Sequence, residues 1–285
     1  MLSIIFALYS FAAWGVGDIF GTITSRKIGA YSTAFWYLFF GLLASSIYGL
    51  FILDQLQLGL SIFIFTLVIG IIGTIGLIAF YEALNHGSAA LTGTVASASS
   101  ALAAVIAVVF LKEKLALLQI LALLIVFTGV VISSLDFNHI KSGKIFNKGI
   151  LFALIAFLFW GFYYGLIKIP VKELGWFWAT YIATLPVFLI PVFMKVRKIK
   201  MENPIKRKAL LPLTINTVLL GTGVYSLNFA IEKGMAAVTV PIANAYPALF
   251  ATLAFIVFKD PLTKRQIFGI VITIIGLIIL SLISA

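Results

Sequence analysis

The sequence predicts an all-α membrane protein of ten transmembrane helices, built as two inverted five-helix repeats. Three observations predict it. The 285 residues are 62% hydrophobic and only 10% charged, with a mean hydropathy of +1.18, whereas a soluble chain is nearer half apolar and a quarter charged. The apolar residues gather into ten runs, each long enough to cross ~30 Å of hydrocarbon. A set of glycines, charges and one glutamine then recurs at an offset of 146 or 147 residues.

The composition excludes a soluble enzyme, a disordered chain, a collagen and a disulfide scaffold. There are no cysteines, hence no disulfide framework and no thiolate metal site. The net charge of +11 does not point to nucleic acid, because the basic residues sit between apolar runs, where they set membrane orientation.

The first five runs are Leu2–Ile23, Ser32–Leu53, Ser61–Leu84, Ala89–Leu111 and Leu115–Leu135. The second five are Lys148–Ile169, Trp176–Val196, Ala209–Glu232, Ala236–Phe258 and Leu262–Ile283. A β-barrel is excluded, because stretches such as Ile120–Val126 are apolar throughout where a barrel strand alternates. The first run lacks the basic start and small-residue cleavage site of a signal peptide. Residues 1–135 form the first repeat, 136–147 a polar linker and 148–285 the second repeat. Asp136–Asn147 and Lys195–Lys208 are the two long polar connections, and the latter carries seven basic residues.

The repeat rests on particular residues. Trp14-Gly15 and Gly29 recur as Trp160-Gly161 and Gly175. Gly76, Ala83, Gly87, Ala89 and Ala90 recur as Gly223, Ala230, Gly234, Ala236 and Ala237. Lys112-Glu113, Leu115 and Gln119 recur as Lys259-Asp260, Leu262 and Gln266; Gly129 and Ser134 recur as Gly276 and Ser281. With five spans per copy, the second copy enters the membrane from the opposite side, so the repeat is inverted. That plan recurs in secondary transporters, whose substrate site lies near the midplane between the halves.

The block Leu84-Asn85-His86-Gly87-Ser88-Ala89-Ala90, then Phe110-Leu111-Lys112-Glu113-Lys114-Leu115, Gln119 and Gly129-Val130-Val131, resembles the EamA-type repeat of the drug/metabolite transporter superfamily. The second copy reads Glu232-Lys233-Gly234-Met235-Ala236-Ala237, Tyr246-Pro247, Phe258-Lys259-Asp260-Pro261-Leu262, Gln266 and Gly276. The resemblance covers essentially the whole chain and implies a carrier of amino acids, sugars, nucleotide-linked sugars or other metabolites. Ser99-Ser100 stands where the second copy has Tyr246-Pro247. The first copy lacks the family's usual proline there, so a broken helix is expected in the ninth span and not in the fourth.

Connections after odd-numbered runs hold fifteen Lys and Arg, and those after even-numbered runs hold five. The positive-inside rule then places both termini outside, whereas relatives of the resembling family are often drawn with both termini cytoplasmic.

An ionisable group inside a span is a functional candidate by default. Asp18 is the clearest, with Trp14 and Thr22 on the same face by their i, i+4, i+8 spacing. Trp160, Tyr164 and Lys168 are their counterparts in the sixth span. The two stripes are expected to line a central cavity, Asp18 holding a cationic group or a coupling proton and the aromatics packing the substrate. Lys168, near its span's end, is expected to snorkel to the interface. Tyr81, Asn228, Asn244 and Tyr246 complete the substrate-binding candidates, since the third/eighth and fourth/ninth pairs help form the cavity in the resembling family. The pairs Gly17/Gly21 and Gly161/Gly165 read as helix-packing motifs, and Lys112-Glu113-Lys114 as helix-end caps.

No catalytic residue, metal or cofactor is assigned. Gly15-Val16-Gly17-Asp18 matches the GxGD pattern of intramembrane aspartyl proteases, but that chemistry needs a second carboxylate, and Asp54, Asp136 and Asp260 all fall in loops. No HExxH, channel filter motif or ATP-binding P-loop occurs. The expected protein is a monomeric, multi-pass carrier in the cytoplasmic membrane. It moves a small polar or amphipathic metabolite by alternating access with a coupling proton; a lipid or lipid-linked sugar flippase of the same superfamily is the alternative.

Overall fold

The computed structural model of the chain describes residues 1–87, 89–134, 148–258 and 263–284. Among these, thirteen α-helices follow one another. The first six are α1 (Leu2–Ile28), α2 (Ala30–Phe51), α3 (Leu60–His86), α4 (Ala89–Ser97), α5 (Ser99–Phe110) and α6 (Leu117–Ser134). The others are α7 (Lys148–Leu166), α8 (Lys168–Thr184), α9 (Leu189–Val196), α10 (Leu210–Lys233), α11 (Ala236–Asn244), α12 (Pro247–Phe258) and α13 (Lys264–Ser284). Eight helical stretches are long and apolar enough to cross a membrane, and Val95–Phe110 and Leu117–Ile132 are shorter apolar helices. The expected linker 136–147 lies outside the described residues, as do Ser88 and the turn 259–262.

Some charged residues mark helix ends. α1 runs on past the expected Ile23 to Ile28, with Arg26 and Lys27 in its last turn, where cations complement the helix dipole. The chain then reverses on Gly29 alone, at φ 79°. The counterpart Gly175, at φ 75°, interrupts α8 and makes the same reversal. Both need the left-handed backbone that glycine adopts without a Cβ clash, which is why they recur. Residues 168–174 thus continue the sixth span, and Trp176 begins the seventh. The Trp176 amide, at this helix start, donates to Glu232 Oε2 at 2.8 Å.

The expected asymmetry of the broken helices is corrected. The fourth span is interrupted at Ala98, between α4 and α5, and the ninth at Ala245-Tyr246, between α11 and α12. In the ninth, Pro247 has no N–H to donate, and the Tyr246 amide bonds instead to Ala243 O at 3.3 Å. In the fourth no proline is needed. The Ser100 hydroxyl bonds to Ser97 O at 2.9 Å, and such side-chain bonding to the backbone competes with helix geometry.

Packing repeats as the sequence does. α1 lies on α10 and α3 on α7; α5 lies on α7 as α12 lies on α1; α6 lies on α13. The recurrent glycines sit at these contacts. A Cβ on Gly76 would lie 2.5 Å from Trp160 Cδ1, and one on Gly223 would lie 2.5 Å from Trp14 Nε1. Gly15 meets Leu249, and Gly161 meets Leu102 in the same way. Gly17 and Gly21 face Leu220 and Asn216 of α10, while Gly165 faces Ile106 of α5. With no water to drive association, close van der Waals approach is what holds helices together in lipid.

One polar knot ties three connections at the end of the bundle that carries the termini. Lys112 takes a left-handed turn at φ 55° and ends α5. The carboxylate of Glu113 then accepts the first amides of α11, from Ala236 at 3.0 Å and Ala237 at 2.8 Å. Lys168 pairs with the same carboxylate and donates to Gly234 O at 2.6 Å. Lys168 is only 7% exposed, so the snorkelling expectation is corrected: a helix N-terminus has already drawn a carboxylate to its side, and the lysine turns inward to it.

Breaking a buried pair strands the remaining charge, which costs about 3–5 kcal/mol. Lys168→Met is therefore expected to lower the thermal midpoint of the detergent-solubilised protein markedly, and Lys168→Arg far less. Equal midpoints for the three proteins would show that the pair does not hold these connections together.

Candidate functional site

The spans enclose a central cavity of about 110 Å³. Its wall is drawn from α1, α2, α3, α7, α8 and α10 and from the break between α11 and α12. Asp18 on α1 is 3% exposed and, among the described residues, supplies the one charged side chain of the lining, which contains no Lys, Arg or His. Tyr246 shares this wall with Asp18. The helix break makes this possible: it brings Tyr246, the residue before Pro247, to the cavity wall beside α1.

Eight aromatic residues stand in the same wall. Trp14 meets Tyr246 edge-on at 5.9 Å between ring centroids and Tyr164 at 5.9 Å. Trp160 lies 6.4 Å from Tyr164 and 5.0 Å from Phe80. Trp14 and Trp160 are the two rings that Gly223 and Gly76 admit, so two close helix contacts of the fold also position the cavity's two indoles. A carboxylate ringed by aromatic faces suits a cation, which gains both a charge-assisted hydrogen bond and cation–π attraction.

Six of the eight expected binding residues line the cavity: Trp14, Asp18, Trp160, Tyr164, Asn244 and Tyr246. Asn244 donates from Nδ2 to Val240 O at 3.1 Å, and its buried Oδ1 has no partner; this is a second acceptor in the wall. Tyr81 and Asn228 do not reach the lining. The Tyr81 hydroxyl accepts from Asn216 Nδ2 at 3.2 Å, fully buried between α3 and α10. Asn228 Nδ2 donates to Thr180 Oγ1 at 2.7 Å. Thr180 lines the cavity, so Asn228 orients a wall residue from behind. Thr22, expected on the Asp18 stripe, turns its hydroxyl to Asp18 O of its own helix at 2.7 Å.

The stripe argument also missed wall residues. Tyr37, Tyr163 and Tyr225 line the cavity, and all are tyrosines inside apolar spans. Tyr163 was passed over because it adjoins Tyr164 and so falls outside a strict i, i+4 stripe. A search for every tyrosine well inside a run would have found these three. Among the described residues no three His, Cys, Asp or Glu side chains converge as metal ligands would.

The comparisons with known proteins bear on the whole chain. The model of the EamA-like transporter family matches twice, over residues 1–135 and 147–282. An uncharacterized protein of Methanocaldococcus jannaschii is 40% identical over 68 residues, which are 24% of this chain and 50% of that protein. The matching region spans half the length of that curated relative. A solved crystal structure of a protein 13% identical in sequence superposes with a TM-score of 0.79, over 99% of this chain and 97% of its own, and so shares the fold. The chain belongs to the EamA-like transporter family, which makes it a multi-pass membrane transporter of the drug/metabolite transporter superfamily.

Proposed function

We propose that this protein is a secondary carrier that moves a small amine-bearing metabolite, an amino acid or similar polar or amphipathic solute, by alternating access. One observation carries the reading: Asp18 stands in an aromatic-lined cavity between the two repeats with no basic side chain among the described residues of the wall. A buried carboxylate in a membrane protein is costly unless a cation or proton satisfies it. Asp18 then takes the substrate's ammonium group or a coupling proton, and the exchange between these two occupants links uptake to the proton gradient. The unpartnered Oδ1 of Asn244 offers the ammonium a second acceptor.

In this reading the ten spans form two inverted repeats, 1–135 and 148–285, and the chain works as a monomer in the cytoplasmic membrane without enzymatic activity. Paired contacts between equivalent helices support it, because halves that exchange conformation exchange which side of the cavity is open. The Glu113–Lys168 knot closes the side that carries the termini, and the Lys and Arg count puts that side outside the cell.

Two tests follow. In liposomes with an imposed pH gradient, amine-bearing solutes are expected to accumulate and neutral sugars not. Asp18→Asn is expected to cut amine uptake by roughly ten- to a hundredfold, the worth of one hydrogen bond to a charged group, and to abolish its pH dependence. Uptake unchanged in rate and in pH dependence would remove Asp18 from the mechanism. For orientation, a reporter fused after Ala285 is expected to read as outside the cytoplasm; a cytoplasmic signal reverses the assignment.

A further inference from the structure

A second void adjoins the central cavity. It is an apolar groove of about 750 Å³ between α1 and α10 on one side and α2 and the start of the seventh span on the other. Tyr48, Trp176 and Phe229 are part of its wall, and Tyr48 is 48% exposed on the surface that meets lipid. Gly41, Gly221 and Tyr225 belong to both voids.

The two shared glycines differ from those that pack helices. A Cβ on Gly15, Gly17, Gly70, Gly73 or Gly76 would meet another helix at under 3.0 Å. A Cβ on Gly221 would meet nothing within 4 Å, and one on Gly41 only Thr217 Cγ2 at 3.9 Å. These glycines do not serve close approach. What their missing side chains leave is a gap between cavity and groove. The repeat-related position of Gly221 is filled, by Thr74. The gap therefore belongs to one copy of the repeat, and the inverted plan alone does not require it.

Resting on the amine reading above, we infer that the groove is a side entrance that holds the alkyl chain of an amphipathic amine drawn from the leaflet on the side of the termini. The ammonium head reaches Asp18 through the gap at Gly41 and Gly221, while the chain stays in the groove. The volumes suit this division. A space of 110 Å³ is that of about four water molecules and fits a head group, and the groove is several times larger. An anionic phospholipid head is disfavoured beside Asp18, and the apolar groove wall offers nothing to a polar solute.

The test uses the full chain in vesicles with 12-bromododecylamine, whose bromine quenches nearby tryptophan. Trp176 lines the groove and serves as the probe. Saturable quenching is expected, competed by unbrominated dodecylamine and not reproduced by brominated phosphatidylcholine. Gly221→Leu, which fills the gap, and Ala44→Phe, which fills the groove outside the cavity, are each expected to weaken this binding at least tenfold. Quenching that rises linearly with mole fraction and is equal in all three proteins would overturn the side entrance, as would saturable quenching by the phospholipid alone. Uptake of butylamine separates the two proposals. If it persists in the wild type and in Ala44→Phe while dodecylamine shows no saturable binding, the entrance fails and the carrier reading stands. If neither amine binds nor moves, both fail.

Discussion

Helix approach without side chains is the constraint on which this structure depends. Two contacts matter most, Gly76 against Trp160 and Gly223 against Trp14, because each joins a helix of one repeat to a helix of the other. In lipid the helices gain little from hydrophobic burial, so intimate packing must hold them. At these two points the side chain received by the glycine is also a wall of the cavity. Stability and site geometry are therefore set by the same atoms. A substitution that loosened the packing would also move the indoles around Asp18.

The second organising feature is how the fold treats charge. Most charged side chains stay in connections or in the last turns of helices, where they complement helix dipoles or set orientation. Two exceptions lie deeper. Lys168 and Glu113 satisfy each other and cap α11, so their burial is structural. Asp18 has no basic partner among the described lining residues and faces a cavity. This contrast separates a closed polar knot from an open polar site: the first has its partners within the protein, the second faces a cavity.

Much of this was legible in the chain. Apolar runs marked a many-helix membrane chain, and the offset of 146 or 147 residues marked its two repeats, because hydropathy and glycine contacts are local or pairwise properties that sequence records directly. Six cavity residues were legible for the same reason: a polar or aromatic side chain in a lipid-exposed run needs a partner or a cavity. Other features depended on neighbours that spacing does not reveal. The break at Ala98 has no proline to mark it. The inward turn of Lys168 depends on Glu113, 55 residues away. Tyr81 looked like a wall residue, and only the position of Asn216 on α10 makes it an interhelical bond.

The central claim is that the two glycine–tryptophan contacts hold the binding cavity in shape. Calorimetric titration of the purified protein with a simple amine such as butylamine, compared among wild type, Gly76→Ala and Gly223→Ala, tests it directly. The added methyl group would lie 2.5 Å from the indole in either variant, so both tryptophans must shift. The account predicts that both substitutions weaken amine binding to a similar degree while the protein stays folded. Undiminished affinity in both folded variants would contradict it.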